Sequence, residues 1–480
     1  MECDLLIDNV SILDGTGSEP CRGSVAVRGA TIEAAGKNSC AAKMVIDGRG
    51  HALAPGFIDV HTHDDLYLLR SPQMLPKLSQ GVTTVIVGNC GISGGPATVK
   101  HALPDPMNLL GESSEFRYPK FRDYVEAIEL ARPAVNVATL VGHTTLRNNH
   151  LDRLDRVASR DEIDKMKKEL SEALANGALG LSIGLAYLSA NSASTEEVIG
   201  LAKTLTPASA IYATHLRSES NAVLAAFDEA CTIAKEVDVR VVVSHLKCAG
   251  IDNWNRSPEL LAALDRARVQ QPTACDCYPY TASSSTLDLR QVDERVKITI
   301  TWSDPHSEMA GRNLDDIAQQ WNITQLEAAR CLQPAGAVYH CIAENDMRNI
   351  LRHPATMIGS DGLPSDPRPH PRLWGTFPRV LGKYAREEKL FSLSEAVRKM
   401  TSLPAECFGF QDRGRIHEGF CADLVLFDPD TVRDTATFSD PMRAAIGIEA
   451  VWVNGVLSYQ NGNTTGNRAG RFLPHSSGQN

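Results

Sequence analysis

The chain has no long run of basic residues, and its formal net charge is −10. Nucleic acid is therefore not expected as a partner, because it is bound by a basic stripe or patch. An acidic total also gives no long-range pull on an anionic substrate, so any such pull must come from local Lys or Arg. No apolar run is long enough to span a bilayer, so no membrane partner is expected. The opening segment MECDLLIDNV lacks a basic stretch followed by an apolar one, so a signal peptide is not expected either. The 12 cysteines show no CxxC spacing, and Cys275 and Cys277 are too close for one. Scattered thiols without a secretion signal point to a reducing cytoplasm, where most act as small buried hydrophobes. Internal repeats and low-complexity stretches are missing as well. What is present is 480 residues of 43% hydrophobic content, enough for one large barrel with a smaller domain, or for three modest domains.

The texture changes twice along the chain. Residues 1–55 read as short strands and tight turns, with Asp14-Gly15 and Asp47-Gly48 as turns. From Phe57 the rhythm becomes strand, loop, helix. Barrel strands are predicted at 56–60, 82–88, 136–141, 179–183, 210–214, 239–244, 274–278 and 356–360, with helical patterns such as 160–175 and 222–235 between them. Alternation of that kind predicts a TIM-like (β/α)8 barrel, here over 56–412. A long interval at about 286–338, with one helical run over 315–331, is expected to be a lid inserted over the site. A last helix is expected near 394–408. Short strands then return over 413–480, with Asn454-Gly455 as a hairpin turn. The simplest account is one small β-sandwich domain built from both termini, 1–55 and 413–480.

The residues that carry chemistry share one position. His61 and His63 close FIDVHTH, Cys90 closes TTVIVGNC, His215 closes AIYATH, His245 closes RVVVSH, and Asp361 closes MIGSD. Each lies just past an apolar, β-branched run, where a barrel of this type places its active site. His61 and His63 are two apart, so on a strand they face one side and can reach one ion. Taken singly, each histidine is more often a packed or capping residue, and Cys90 is more often a buried structural thiol. Together, Cys90, His215 and His245 form a Cys/His2 set that suits a catalytic zinc with room for water. Asp361 alone reads as an aspartate of a turn before glycine. Beside a metal, its carboxylate can take the proton of a water and pass it to a leaving nitrogen.

Lys247, Tyr278 and Arg372 lie near these ends, and as a set they can clamp a carboxylate. His143, in LVGHTTLR, either binds substrate or orients a loop, and the second role is favoured. The stretch Gly180-Leu181-Ser182-Ile183-Gly184 matches the serine-hydrolase pattern G-x-S-x-G. That pattern needs a helix straight after a strand, and here a helix precedes it. Ser182 is therefore read as structural, on the fourth barrel strand.

The phrases PGFIDVHTH, GVTTVIVGNCG, YATHLRSES, VVVSHLK, CYPYTAS, ITWSDPHSEMAGR, GSDGLPSDPRPHPRLWGTFPR and GFCADLVLFDP together resemble the N-acyl-D-amino-acid deacylases, a branch of the amidohydrolases. The likeness runs from near the start to about residue 470. It implies zinc held tightly by Cys90, His215 and His245, and a weaker second position at His61 and His63 with Cys90 bridging. It also implies Asp361 as general acid and base, Lys247, Tyr278 and Arg372 as holders of the substrate carboxylate, and Tyr187 at the acyl end. Arg290 is placed to pair an acidic substrate side chain, although broad or apolar preference is favoured. The substrate implied is an N-acyl-D-amino acid, hydrolysed to a carboxylate and a free D-amino acid. Three alternatives stay open: a cyclic-amide hydrolase of the hydantoinase or dihydroorotase kind, a serine hydrolase through Ser182, and a non-catalytic scaffold on the same fold.

Overall fold

Valine- and isoleucine-rich segments supply the strands of the central ring. In the computed structural model, which describes residues 2–36, 40–99 and 103–475, the ring strands are Phe57–Asp59, Val82–Val87, Asn136–Thr139, Gly180–Gly184, Ile211–His215, Val241–Val243, Thr273–Cys277 and Thr356–Ile358. They pair in parallel with their sequence neighbours, as βαβ connections require. The third strand is handed over in mid-course. Asn136–Thr139 pairs with the second strand, and after Leu140 the short piece Val141–Gly142 pairs with the fourth. The first and eighth strands meet only at their C-terminal extensions, through a parallel bridge between Thr62 and Gly362. Almost every strand side chain is buried, VTTVIV entirely so, which suits strands covered on both faces.

Helices wrap the ring. Arg160–Ala175 begins at a capping box of Ser159 and Glu162 and turns Met166, Leu170 and Ala173 inward, the spacing that keeps one helix face apolar. Asn176-Gly177 ends it, with Gly177 at φ +95°. Two expected helices are each divided. The run at 315–331 is Leu314–Trp321 followed by Gln325–Leu332, because Asn322 takes φ +55° and Thr324 caps a new helix with Glu327. The run at 394–408 is Leu393–Met400 followed by Ser402–Phe408, divided at Thr401, which leaves helical geometry at φ −135°, ψ −86°.

The segment after the seventh strand has its own sheet. Ser283–Thr286 and Ile298–Ser303 pair antiparallel on either side of Ala335–Tyr339, and the helices Leu314–Trp321 and Gln325–Leu332 lie between Ile298–Ser303 and Ala335–Tyr339 in sequence. Segments from both chain ends form another sheet, of nine strands among the described residues. Ala52–Pro55 pairs antiparallel with Leu424–Phe427 and runs through Gly56 into the first ring strand. A side chain at Gly56 would strike Thr83 Oγ1 at 2.2 Å. Phe57 stacks on Phe377 at 5.8 Å and tilts against Phe427 at 6.5 Å, joining the floor of the ring to that sheet. No helix among the described residues is long and apolar enough to cross a membrane.

Candidate metal centre and active site

The strand ends that carry the chemistry leave regular geometry abruptly. Cys90, His245 and Asp361 take φ values of +54°, +35° and +48°, a left-handed conformation that costs a side-chain-bearing residue energy and that clusters at functional sites. Around Cys90 the turn is tight. A side chain at Gly88 would meet Leu140 O at 2.1 Å, and one at Gly91 would meet Gly184 N at 2.8 Å. Ser182 braces this turn, accepting from Gly91 N–H at 3.0 Å and donating to Gly88 O. Its hydroxyl is spent on backbone, as the structural reading of G-x-S-x-G expects.

The turns deliver a compact donor set. One donor atom each from His61, Cys90, His245 and Asp361 lies within 4.8 Å of the others. Cys90 Sγ is 3.2 Å from His61 Nε2 and 3.3 Å from His245 Nε2. Asp361 Oδ1 is 3.1 Å from His63 Nε2 and 3.5 Å from His61 Nε2. His215 stands beside this group, its ring edge-on to that of His245 at 4.5 Å and its Nε2 3.5 Å from Glu219 Oε2. The rear nitrogens are held by carboxylates. His61 Nδ1 faces Asp276 Oδ2 at 3.3 Å, and His245 Nδ1 faces Glu219 Oε1 at 2.9 Å, so both Nε2 atoms are aimed inward as metal ligands are.

The electrostatics of the cluster fit a cation. Burial opposes ionisation of Cys90, but the imidazoles of His61 and His245 outweigh it and hold the thiol well below its ordinary range. Burial likewise opposes protonation of His63 and His245, yet Asp361, Cys90 and, for His245, Glu219 lift both to about 9. A thiolate and a carboxylate sharing protons with buried imidazoles have the charge balance in which a divalent cation takes the protons' place. Sulfur, nitrogen and oxygen donors in one buried group suit zinc. The buried Nδ1 atoms of His63 and His215 have no hydrogen-bond partner.

A cavity of about 300 Å³ opens above the cluster, with His215, His245, Lys247, Tyr187 and Asp361 in its wall and Arg290 at its mouth. Arg372 is fully buried. It donates from Nη2 to Asp361 Oδ2 at 2.9 Å and to Ser284 O at 3.1 Å, with its guanidinium 4.6 Å from the centre of the Tyr278 ring. Burial opposes ionisation of Asp361, but Arg372 and the imidazoles of His245 and His61 hold it well below the usual carboxylate range. Lys247 Nζ lies 2.5 Å from Glu219 Oε1 and 5.7 Å from the Tyr278 ring centre. Arg372 Nε and Nη1 and the Tyr278 hydroxyl have no partner. Tyr187 packs edge-on to His215 at 5.0 Å.

Two sequence candidates stand apart. Arg290 is half-exposed and tied to Asp288 at 2.7 Å and to Ala186 O at 3.0 Å. His143 is buried against Glu197 at 3.0 Å, outside the cavity wall. Residues not singled out in the sequence complete the site. Asp276 sits unnoticed between two cysteines, one residue before the end of the seventh strand. Glu219 lies four residues past His215, in the loop that follows the strand. Asp59 lies two before His61, the spacing that puts it on the same strand face.

Residues 44–210 and 308–459 match the profile of the Amidohydrolase family. Three relatives come from Alcaligenes xylosoxydans xylosoxydans. A D-aminoacylase is 47% identical, covering 98% of this chain and 97% of its own. An N-acyl-D-aspartate deacylase is 46% identical, with 98% and 95% covered, and an N-acyl-D-glutamate deacylase is 44% identical, with 98% and 96% covered. Among solved structures, a D-aminoacylase described with a binuclear metal centre superposes with a TM-score of 0.96 at 46% identity, over 98% of this chain and 100% of that one. N-acyl-D-glutamate deacylase from Bordetella bronchiseptica, complexed with zinc and a phosphonate that mimics the tetrahedral intermediate, superposes with a TM-score of 0.95 at 42% identity, over 99% and 100%. A D-hydantoinase, at 15% identity and a TM-score of 0.62 over 98% of each chain, shares the fold.

Proposed function

The chain belongs to the amidohydrolase family, and from that premise we propose that it hydrolyses N-acyl-D-amino acids in a metal-dependent reaction, releasing a carboxylic acid and the free D-amino acid. Cys90, His215 and His245 are the residues that would hold a tightly bound zinc. His61 and His63, sharing Cys90, offer a second and weaker position. Zinc bound in such a set lowers the pKa of a water and polarises the acyl carbonyl. The observation that carries the reading is Asp361, a carboxylate 3.1 Å from His63 Nε2 and 2.9 Å from Arg372 Nη2, in the wall of the cavity.

Asp361 is the proton carrier. Arg372 keeps it anionic, so it can take the proton of the attacking water. Once protonated it is a strong acid, suited to passing that proton to the leaving amide nitrogen. Lys247, Tyr278 and Arg372 bind the substrate α-carboxylate. Donors without partners on Arg372 and Tyr278 support that role, since unsatisfied buried donors are costly. A cyclic amide of the hydantoin kind lacks a free carboxylate and would leave them unpaired. The fixed relation of this clamp to Asp361 selects the D configuration. Tyr187 lines the acyl end, and Arg290 at the mouth meets the substrate side chain. The free thiols suit a reducing cytoplasm.

A panel of N-acetyl D- and L-amino acids, assayed with and without added zinc, tests the reading. Cleavage of D-acids that depends on the metal is expected, with poor turnover of L-acids and of D-amino acid amides. Preference for L-substrates, or equal cleavage of D-acid and D-amide, would sink both the substrate assignment and the clamp.

A further inference from the structure

One join in the ring has no strand ladder. The first strand, Phe57–Asp59, and the eighth, Thr356–Ile358, do not pair along their lengths. Their extensions meet where Asp361 N–H donates to His61 O at 2.7 Å and His63 N–H donates to Gly362 O at 3.1 Å. The residues that face each other across this join are two proposed zinc ligands and the proposed proton carrier.

Beneath the join lies Lys77, fully buried on the short helix Leu75–Leu78. Its Nζ is 2.8 Å from Asp59 Oδ2, 2.8 Å from Thr62 Oγ1, 3.1 Å from Ser360 Oγ and 3.1 Å from Asp64 Oδ2. Three N–H donors are thus shared among four acceptors: Asp59 before His61, Thr62 between the two histidines, Asp64 after His63, and Ser360 across the join. Asp59 extends the network into the backbone. Its Oδ1 accepts from Ser360 N–H at 2.8 Å and His61 N–H at 3.3 Å, and its Oδ2 accepts from the Ser360 hydroxyl at 2.6 Å. The ammonium therefore grips Thr62, which separates the two histidines, and Ser360, which precedes Asp361.

A buried charge is a poor way to gain stability, since apolar side chains of similar volume serve as well or better. What a multidentate ammonium adds is fixed geometry among the groups that it bonds. We propose that Lys77 is a positioning residue. It clasps the join between the first and eighth strands, and so sets His61, His63 and Asp361 relative to one another. The inference rests on the proposed function for its catalytic readout alone.

The test is Lys77→Met, which keeps the stem and removes the ammonium. On N-acetyl-D-amino acids, kcat is expected to fall roughly 10- to 100-fold, while KM moves less than about threefold, because misplacement costs the chemical step more than binding. In the enzyme as purified, amide hydrogen exchange at His61, His63, Ser360 and Asp361 should quicken. Exchange over Val241–Val243, in the laddered part of the ring, should stay at the wild-type rate. A lower melting temperature with unchanged kcat, or exchange raised evenly over the ring, would mark a merely structural lysine and overturn the proposal. Wild-type exchange at the four amides would overturn it too. Should Lys77→Met fail to fold, Ser360→Ala decides the matter: faster exchange at the same amides with a smaller loss of kcat supports the clasp, and wild-type values for both refute it. Exchange is read without substrate. A protein that spares N-acyl-D-amino acids yet shows the local effect keeps the clasp and loses the substrate assignment.

Discussion

The two sides of the ring hold their functional residues by different means. His215 ends a strand that is laddered on both edges, and His245 follows a strand likewise paired on both edges. Backbone ladders fix the strands that deliver these two histidines, and Glu219 orients the His245 ring from behind. His61, His63 and Asp361 stand at the unladdered join, where side chains do the fixing: Asp276 behind His61, Arg372 behind Asp361, and Asp59, Ser360 and Lys77 beneath. Cys90 lies between the two sides and touches both. The difference teaches where substitution should be felt. A ladder survives the loss of one side chain, whereas a side-chain network leaves its remaining polar members buried and unpaired.

The largest expected effect removes the residue common to both sides. Cys90→Ala should purify with little zinc by metal analysis and have turnover near background. Full zinc with normal turnover would dissolve the two-sided site altogether. Next is Asp361→Asn on the join side. The metal content and fold should be kept, while kcat drops by about 10²- to 10⁴-fold, because an amide cannot carry the proton. Near wild-type turnover would put the base elsewhere. Arg372→Met reaches the join indirectly. Losing a charged hydrogen bond costs about 1.5–3 kcal/mol, so kcat/KM on N-acetyl-D-amino acids should fall roughly 10- to 100-fold, with a smaller loss on the matching amides, which feel only the lost support of Asp361. An equal loss on acids and amides would leave Arg372 as a support of Asp361 and remove it from the clamp. The smallest effect belongs to the laddered side. Ser182→Ala unpairs Gly91 N–H, which should cost about 1–3 kcal/mol of stability in thermal or denaturant unfolding and only a few-fold in turnover. The wild type should not react with a fluorophosphonate probe. Labelling at Ser182 with parallel loss of activity would revive the serine-hydrolase alternative.

The laddered side was also the more legible in sequence. Apolar β-branched runs such as RVVVSH and AIYATH announce both the strand and the place where it ends, so His215 and His245 could be located without knowing any partner. His61 and His63 were legible for another reason, their spacing of two on a strand. The join was not legible. Lys77 lies in PQMLPKLSQ, a stretch with no motif, and what gives it a role is contact with Ser360, hundreds of residues away. Asp276 and Glu219 were missed because orienting a histidine from behind leaves no local pattern. The divided helices failed on single residues. Asn322 and Thr401 look ordinary in a helical run, and only the left-handed turn at one and the non-helical kink at the other reveal the break.

The left-handed turns at Cys90, His245 and Asp361 bear on how such a sequence can drift. Each position holds a side chain where glycine would sit at ease, and each costs roughly 1–3 kcal/mol, with aspartate at the lower end because it tolerates this conformation best. A lineage released from selection for turnover has an open route to greater stability through these same codons, with Cys90→Gly the plainest step. Robustness and chemistry pull in opposite directions at three points of one backbone.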